Sequence, residues 1–160
     1  MLHTMEQNLC IAGLLEAIFH PSRNQYALQA SRSFDKGEII TVFTHEEEMT
    51  EPNQLSLQVN EQTHITLLPH CLRYTNHSCD PNVFFDTEKK QLIALARIET
   101  NDELCFFYPS TEWSMATPFD CACRSENCMR VVAGARILSE EQRAGHLFNH
   151  HILRLLDKNK

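Results

Sequence analysis

The sequence predicts a β-rich domain, mainly β with short helices. Short apolar runs recur between turn residues about every ten positions, and roughly six to eight of them have the length of a strand. A clear helical spacing of apolar residues is found only near the carboxyl end. With 160 residues, 42% of them hydrophobic, the chain can bury one core without disulfide bonds.

The first part of the chain, residues 1–23, is expected to be a flanking segment. Apolar residues in the run 9–19 stand at mixed spacings that favour a weak helix, and this segment is expected to cover part of the core. The cluster HPSRN at 20–24 predicts a turn. The apolar run 9–15 is too short to span a bilayer, and Glu6 stands where a signal peptide carries positive charge.

Strands are predicted through the middle of the chain. The motif DKG at 35–37, between the β-prone runs 26–30 and 38–43, predicts a hairpin. The acidic run 46–48 predicts a solvated loop, and its functional alternative is an acidic rim that attracts a peptide rich in lysine or arginine. Further strands are predicted at 55–60, 63–68, 83–85, 91–96 and 104–108.

The last part of the chain changes from strand to helix patterning. Ser139 and Gln142 have the spacing of a capping box, and apolar residues then recur three and four positions apart. An amphipathic helix is therefore predicted over 140–157. The sequence favours packing of this helix on the domain, with a contact in a homodimer as the alternative.

Charge and cysteine content limit the classes of function. The net charge is −7, from 14 basic and 21 acidic residues. This balance argues against direct binding of nucleic acid, which needs a basic face, and favours a basic partner. Seven cysteines in a chain without an export signal indicate reduced thiols or metal ligands rather than disulfides. We therefore expect an intracellular protein without membrane association, with nucleus and cytoplasm both open.

The stretch 73–82 (RYTNHSCDPN) follows neither the strand period nor the helix period. It brings Asn76, His77 and Cys79 together with the turn chemistry of Asp80 and Pro81. A loop this polar is more typical of a functional site than of a connector.

Three cysteines near the carboxyl end stand at spacings of two and five. They are Cys121, Cys123 and Cys128. A tight loop with this spacing can aim three thiolates at one centre, as tetrahedral zinc requires. The alternative is that the three cysteines are unrelated small residues, and it is disfavoured because they stand among polar neighbours and not in an apolar run. A fourth ligand could be Cys10, Cys71, Cys79, Cys105 or a histidine. Because Cys71 and Cys105 lie in apolar contexts typical of a core, Cys79 is the best candidate.

Three segments together resemble the SET-domain protein lysine methyltransferases. The stretch 73–82 is similar to the central signature of that family, and 98–108 (IETNDELCFFY) is similar to its second signature, which ends in a tyrosine. The motif at 121–128 resembles the post-SET zinc motif, and residues 30–40 resemble the opening hairpin. The resemblance implies a flanking segment at 1–23, a SET domain at 24–110, a post-SET zinc segment at 111–132 and a C-terminal helix at 133–160.

The resemblance implies a fold and a reaction. The fold would be the SET-domain β-clip, in which the two signatures meet through a pseudoknot. S-adenosyl-L-methionine would be the methyl donor on one face, and a lysine side chain would enter from the other face through a narrow channel. One structural zinc ion would be held by Cys79 and the three cysteines of the post-SET motif. The implied substrate is a basic, lysine-containing protein, with a histone tail as the default.

The resemblance also implies roles for single residues. Tyr108 would be catalytic, its hydroxyl orienting the amine; without the flanking signatures, a packed strand-end aromatic would be the simpler interpretation. Asn76 and His77 would hold the cofactor, with Arg73 close to it. Phe106 would line the lysine channel. Because phenylalanine leaves room where a tyrosine would hold the amine, Phe106 implies di- or trimethylation.

The chain departs from the family pattern where the cofactor loop usually carries Gly-x-Gly. Gln25, Tyr26 and Ala27 stand there, and because glycines permit close approach of backbone to a ligand, we expect a narrower or weaker cofactor pocket. Three more positions where the family commonly has glycine carry larger residues, namely Asn101, Arg124 and Arg130.

Two questions stay open at this point. Trp113 can cover the cofactor or the channel, or it can anchor the core. For the whole protein, the alternatives to an active methyltransferase are a SET-like module that binds a lysine-containing partner without methyl transfer, and a zinc-stabilised interaction domain. Binding of the cofactor separates the last alternative from the enzyme.

Overall fold

Most of the short apolar runs form strands, in which buried and less buried side chains alternate. The computed structural model describes residues 9–160. Its strands are Leu9–Ile11 (β1), Leu15–His20 (β2), Gln25–Ala30 (β3), Ile39–Val42 (β4), Thr44–Met49 (β5), Ser56–Gln58 (β6), His64–Leu68 (β7), Asn76–His77 (β8), Val83–Asp86 (β9), Gln91–Ala94 (β10), Glu103–Phe106 (β11), Phe119–Asp120 (β12) and Val131–Val132 (β13).

Helical structure within residues 9–160 is limited to short pieces. These are the α-helices Glu140–Arg143 (α1) and His150–Lys158 (α2) and the 3₁₀ turns His70–Tyr74, Tyr108–Ser110 and Ala135–Ile137. The predicted fold class, mainly β with short helices, is confirmed. Over the same residues, no helix combines the length and the apolar character that a membrane crossing requires.

Five strands form the largest sheet, in the order β1-β2-β3-β11-β8. β2 and β3 pair antiparallel on either side of the turn predicted at 20–24. β8 pairs with β11 in parallel, which places Asn76 beside Cys105 and His77 beside Phe106. Parallel strands cannot be joined by a tight turn, and β9 and β10 lie between these two in the chain. The stretches 73–82 and 98–108 thereby become neighbours.

Across residues 9–160, three smaller sheets accompany the largest one, namely β4-β10-β9, β5-β7-β6 and β12-β13. β6 and β7 form the antiparallel pair predicted at 55–60 and 63–68, with Gln58 opposite His64. β9 and β10 form a second antiparallel pair, and β11 begins one residue before the run predicted at 104–108 and ends inside it.

The interior divides into two hydrophobic clusters. The main cluster joins the larger sheets through fully buried side chains such as Phe34, Phe85 and Leu104. The second cluster contains Cys79, Phe107 and Ile152 and connects the polar loop with α2. The candidate site residues are positioned by these two clusters.

The helix expected in 9–19 is wrong, because β1 and β2 occupy that run; residues 1–8 of the same expectation lie outside the described residues. Gly13 has φ +76 and lies in the turn between the two strands. Leu15 and Ala17 are buried and Glu16 between them is half-buried, which is the period of a strand. Pairing of β2 with β3 satisfies the backbone, so tertiary context outweighs the mixed spacing.

The hairpin predicted at 35–37 is also wrong. The turn itself forms, since the N–H of Glu38 donates to the carbonyl of Asp35 at 3.0 Å and Gly37 has φ +86. The strands on either side belong to different sheets, because β3 pairs with β2 and β11 whereas β4 pairs with β10. A local turn signal does not specify the partner of a strand.

The acidic run 46–48 lies in β5 rather than in the predicted loop. Antiparallel pairing with β7 holds this run in a strand. Its three glutamates remain exposed, as the prediction of a solvated segment requires. β5 therefore presents an acidic edge to solvent.

The helix predicted over 140–157 is divided into α1 and α2. The capping box at Ser139 is present, but α1 ends before Gly145, whose φ of +81 is typical of a helix end. Asn149 is the N-cap residue before α2, and its side-chain amide donates to the carbonyls of Phe85 at 2.8 Å and Ser110 at 3.0 Å. These buried hydrogen bonds fix the chain between the helices, and α2 packs on the domain.

A disulfide joins Cys10 of β1 to Cys71 of the turn His70–Tyr74. The expectation that all cysteines are reduced thiols or metal ligands is therefore wrong for this pair. The two Cα atoms are 5.3 Å apart, a distance that suits a disulfide, because β1 packs against that turn. The five other cysteines of the described chain are free thiols.

Candidate active site

The parallel pair β8–β11 lines a cleft of about 640 Å³. Asn76 and His77 line it from β8, Glu103 lines it from β11, and the segment 115–123 contributes further lining. A cleft of this volume is within the range of pockets that hold cofactors. Gln25 lines the same cleft, so three of the predicted cofactor residues are brought together.

A hydrogen-bond network fixes the polar groups of the cleft. Asn76 Nδ2 donates to the carbonyl of Tyr26 at 3.0 Å and to Glu103 Oε1 at 3.2 Å. Glu103 Oε2 also lies 3.1 Å from Arg23 Nη2. Because Arg23 and Glu103 are partly exposed, this ion pair contributes little to stability. Its effect is to hold one positive and one negative group in place at the cleft.

His77 connects the cleft with the second motif. The N–H of Tyr108 donates to His77 Nδ1 at 3.1 Å, which leaves the ring proton on Nε2, 3.4 Å from Cys79 Sγ. Burial is the main cause that lowers the pKa of His77 to about 4, so the ring is neutral near pH 7. The neutral ring thus links Tyr108 to the thiol of Cys79.

Tyr108 lies between two cavities. It lines the 640 Å³ cleft and also a small cavity of about 40 Å³, to which Phe106, Leu72 and Thr75 contribute. Its hydroxyl donates to the carbonyl of Thr75 at 3.2 Å. Burial raises the pKa of Tyr108 above its ordinary value, so the phenol stays neutral. A hydroxyl held in this way can accept a hydrogen bond from a bound group.

A buried carboxylate, Glu112, lines the same small cavity and is only 6% exposed. Its Oε2 accepts hydrogen bonds from the N–H of Gln58 at 3.0 Å and from the hydroxyl of Thr111 at 2.7 Å. Burial raises the pKa of Glu112 to about 7, although both hydrogen bonds lower it. A carboxylate that titrates near neutrality in a cavity is typical of a functional site.

Four thiols meet beside the cleft. They are Cys79, Cys121, Cys123 and Cys128, and their sulfur atoms all lie within 4.8 Å of one another. The distance from Cys79 Sγ to Cys121 Sγ is 3.9 Å. Zinc–sulfur bonds of about 2.3 Å in a tetrahedron separate the ligands by roughly 3.8 Å, so this donor set fits zinc. Burial raises the pKa of Cys79, and a cation would offset the cost of a thiolate there.

The larger residues at expected glycine positions adopt the backbone conformation that glycine favours. Asn101, Arg124 and Arg130 have φ of 73°, 60° and 70°. Such a conformation costs a non-glycine residue about 1–2 kcal/mol. The turns at these three positions therefore form without glycine.

Four predicted site residues lie elsewhere. Arg73 lines the small cavity rather than the cleft, is exposed, and donates to the hydroxyl of Tyr74 at 3.3 Å. Tyr26 meets the cleft residues through its main-chain carbonyl, and Ala27 is buried in β3. Trp113 packs with the second cluster and lines neither cavity, a placement that matches a core anchor.

Several residues that line a cavity have no predicted site role from the sequence, among them Arg23, Glu103, Glu112 and Met115. Glu103 lies in the second motif, and Arg23 lies in the predicted turn at 20–24. Glu112 follows Tyr108 by four residues, and this proximity is the only signal in the sequence that points to it. Nothing local indicates that such a carboxylate is buried.

A family model described as the SET domain matches residues 25–109, which is more than half of the chain. The chain belongs to the SET-domain family.

Relatives and solved structures agree with this assignment. Methyltransferase flvH of Aspergillus flavus is 38% identical over 104 residues, which cover 63% of this chain and 57% of that protein. KRYPTONITE in complex with mCHG DNA and SAH is 19% identical with a TM-score of 0.58, covering 76% of this chain and 29% of that chain. KRYPTONITE in complex with mCHH DNA, H3(1-15) peptide and SAH has a TM-score of 0.55, with 19% identity over 73% of this chain and 29% of that chain. At this identity the two structures show the shared fold.

Proposed function

We propose that the protein is an S-adenosylmethionine-dependent protein-lysine N-methyltransferase. The observation that carries this proposal is that Tyr108 lines both the large cleft and the small cavity. A methyl donor in the first and an amine in the second would then meet beside one tyrosine. Membership of the SET-domain family, a relative named as a methyltransferase and the SAH of the KRYPTONITE complexes support it.

The cleft is the proposed site of the cofactor, which supplies an electrophilic methyl group on a sulfonium. Asn76 and Glu103 offer an amide and a carboxylate to its polar groups, and His77 offers an aromatic face. Gln25 is the residue of the unusual cofactor loop that reaches the cleft. The donor set of the cleft therefore fits a polar, cationic cofactor, although the loop lacks its glycines.

The small cavity is the proposed channel for the lysine side chain. Leu72 and Phe106 give it apolar walls, and removal of an amine from water lowers the pKa of that amine, which favours the neutral nucleophile. The hydroxyl of Tyr108 and the carbonyl of Thr75 are in place to orient the nitrogen. Since Phe106 offers no hydroxyl to hold a water or the amine, we propose that the product is di- or trimethylated.

The cysteine cluster is proposed to hold one structural zinc ion. Cys79 belongs to the loop that carries the cofactor residues, while Cys121 and Cys123 line the cleft from the tail. Zinc would therefore stabilise one wall of the cofactor site. This role follows the predicted division into a SET domain at 24–110 and a zinc segment at 111–132.

The proposed substrate is a basic protein segment, with a histone tail as the first candidate. An outer groove of about 430 Å³ shares Leu67 and Arg73 with the small cavity. His70 lines this groove, and its Nε2 is 3.6 Å from Glu46 of the acidic run in β5. A net charge of −7 and this acidic edge favour a lysine- or arginine-rich peptide. KRYPTONITE in complex with an H3(1-15) peptide supports the choice of candidate.

The test is transfer of labelled methyl groups from S-adenosylmethionine to histone peptides and to a cell extract. Tyr108→Phe removes one positioned hydroxyl and is expected to lower kcat by about 100-fold or more. Tyr74→Phe is the matched control, because it removes a hydroxyl that lies outside both cavities. Equal labelling by the wild type and by Tyr108→Phe would contradict the assignment of Tyr108.

A further inference from the structure

Tyr108 and Phe106 can orient a lysine amine, but a neutral phenol and a phenyl ring cannot take its proton. Glu112 is the carboxylate that lines the same cavity. We propose that Glu112 binds the ammonium group of the substrate in the small cavity and accepts its proton before methyl transfer. This inference rests on the proposed function and deepens it, since it assigns the proton acceptor of that site.

The hydrogen bonds of Glu112 leave one oxygen available. Both hydrogen bonds that it accepts, from Gln58 and Thr111, fall on Oε2, and among residues 9–160 none falls on Oε1. The main chain fixes the carboxylate relative to the catalytic tyrosine, because the N–H of Glu112 donates to the carbonyl of Tyr108 at 3.0 Å. Thr111 Oγ1 lies 3.4 Å from that carbonyl as well. A substrate N–H group could therefore bind Oε1 without displacing an existing partner.

Burial of the Glu112 carboxylate is energetically unfavourable in the absence of an opposite charge. An unpaired buried carboxylate is unfavourable, and apolar residues of similar volume would pack in its place without that cost. The carboxylate of Glu112 is shielded from solvent, but it lines a cavity that Tyr108 also lines. The ammonium group of a substrate would supply the missing opposite charge.

Each methyl transfer begins with the loss of one proton from the substrate ammonium group. One N–H proton of the ammonium passes to Oε1 of Glu112, which leaves a neutral amine and a carboxyl group. The amine lone pair forms the N–C bond while the C–S bond of the donor breaks and its electron pair stays on sulfur. The positive charge thereby moves from sulfonium to the methylated nitrogen, and Glu112 returns its proton to solvent before the next transfer.

Other titratable groups near Glu112 do not compete for this role near neutral pH. Arg73 and Tyr108 line the cavity, but arginine stays protonated and burial raises the pKa of Tyr108. His151 of α2 bonds the carbonyl of Thr111 at 2.8 Å, and His64 of β7 lies opposite Gln58. Neither histidine lines the small cavity, and burial lowers the pKa of both, which makes each a weaker proton acceptor than a free imidazole.

The test is the pH profile of kcat/KM on a lysine peptide. The wild type is expected to gain activity as the pH rises through about 7, because the carboxylate form of Glu112 is the active one. Glu112→Gln keeps the shape of the side chain and an acceptor oxygen. Its pH profile is expected to lack the rise through pH 7, and its kcat/KM is expected to fall by about 100-fold, with partial recovery at high pH as free amine accumulates. An unchanged pH profile in Glu112→Gln would overturn the inference.

Two further variants separate a chemical role from a structural one. Thr111→Val removes a hydrogen bond that lowers the pKa of Glu112 but keeps the carboxylate. The rise of its activity with pH is therefore expected to shift to higher pH. Glu88→Gln removes an exposed carboxylate outside both cavities and is expected to keep the wild-type profile. If activity of Thr111→Val rises over the same pH range as that of the wild type, Glu112 is not the titrating group.

A binding measurement decides the inference even without turnover. Calorimetry on the wild type with SAH should show that a lysine peptide binds more tightly as the pH rises through 7, whereas a norleucine peptide of the same sequence does not. Folded Glu112→Gln, checked by zinc content and melting temperature, should lose at least about tenfold in affinity for the lysine peptide alone. Equal responses of the two peptides would refute Glu112 as the ammonium site. Absence of transfer by the wild type on any lysine substrate would instead refute the proposed function.

Discussion

Replacing Cys79 by serine tests whether the loop 73–82 and the proposed zinc segment 111–132 form one unit. The thiol is 1% exposed and its sulfur is 3.9 Å from that of Cys121. Met129 donates its N–H to the same sulfur at 3.3 Å. Serine keeps the size of the side chain but removes a thiolate, and an alcohol is a poor zinc ligand because it does not ionise near neutral pH.

The magnitude follows from the donor set. Structural zinc contributes about 10–16 kcal/mol in zinc-finger peptides, shared among four ligands. Mutation of groups that merely support a ligand costs about 10- to 100-fold in metal affinity, so loss of a ligand is expected to cost more than about 100-fold. Phe119, Asp120, Cys121 and Cys123 line the cleft, so the affinity for SAH should fall by at least about tenfold, or 1.4 kcal/mol. The main hydrophobic cluster contains none of these residues, so the larger sheets should remain folded.

The assay compares zinc content, SAH binding and methyl transfer for the wild type, Cys79→Ser and Cys105→Ser. Cys105 is a half-buried free thiol that lines the cleft but lies outside the four-sulfur cluster, so its variant should keep one zinc ion per chain and is the control for zinc content. Cys79→Ser should lose zinc, SAH affinity and transfer together. Loss of zinc with full transfer activity would refute the coupling, and retention of a full zinc equivalent would refute Cys79 as a ligand.

Two further changes test the channel and the backbone. Phe106→Tyr adds a hydroxyl to the small cavity, so mass spectrometry of the peptide product should shift from di- or trimethyl towards monomethyl lysine; an unchanged product distribution would contradict the role of Phe106. Gly134→Ala should lower the free energy of unfolding by about 3 kcal/mol or more in denaturant titrations, because a Cβ there would stand 2.7 Å from the main-chain carbonyl carbon of Trp113 at a φ of +109. Gly37→Ala, with open space around it and a φ of +86, should cost only about 1–2 kcal/mol, and equal losses would show that the contact with Trp113 is not limiting.

The sequence was most informative where a motif and a strand pattern coincide. Asn76 and His77 precede Cys79 in one polar stretch, and the β-prone run before Tyr108 supplies the strand that pairs with them. The three cysteines at 121–128 need a fourth ligand, and Cys79 is the best candidate because Cys71 and Cys105 lie in apolar contexts typical of a core. Both patterns depend on local chemistry, and the structure brings the four cysteines of the second pattern together.

The sequence was least informative where distant contacts decide the outcome. The run 9–19 is strand because β3 offers it a partner, and the turn at 35–37 joins different sheets because β10 pairs with β4. Cys10 meets Cys71 across 61 residues, a separation at which no local pattern indicates pairing. Glu112 is one acidic residue among 21, and only packing shows that it is buried in a cavity.

We propose that the cofactor and the lysine side chain reach Tyr108 from two adjoining cavities. The most direct measurement is a crystal structure with SAH and a lysine peptide bound together. We expect SAH in the 640 Å³ cleft beside Asn76 and His77, and the lysine Nζ in the small cavity within hydrogen-bond distance of Tyr108 and Glu112. The SAH sulfur should then face Nζ with room for one methyl group between them. SAH bound elsewhere, or a lysine that enters through the large cleft, would contradict the claim.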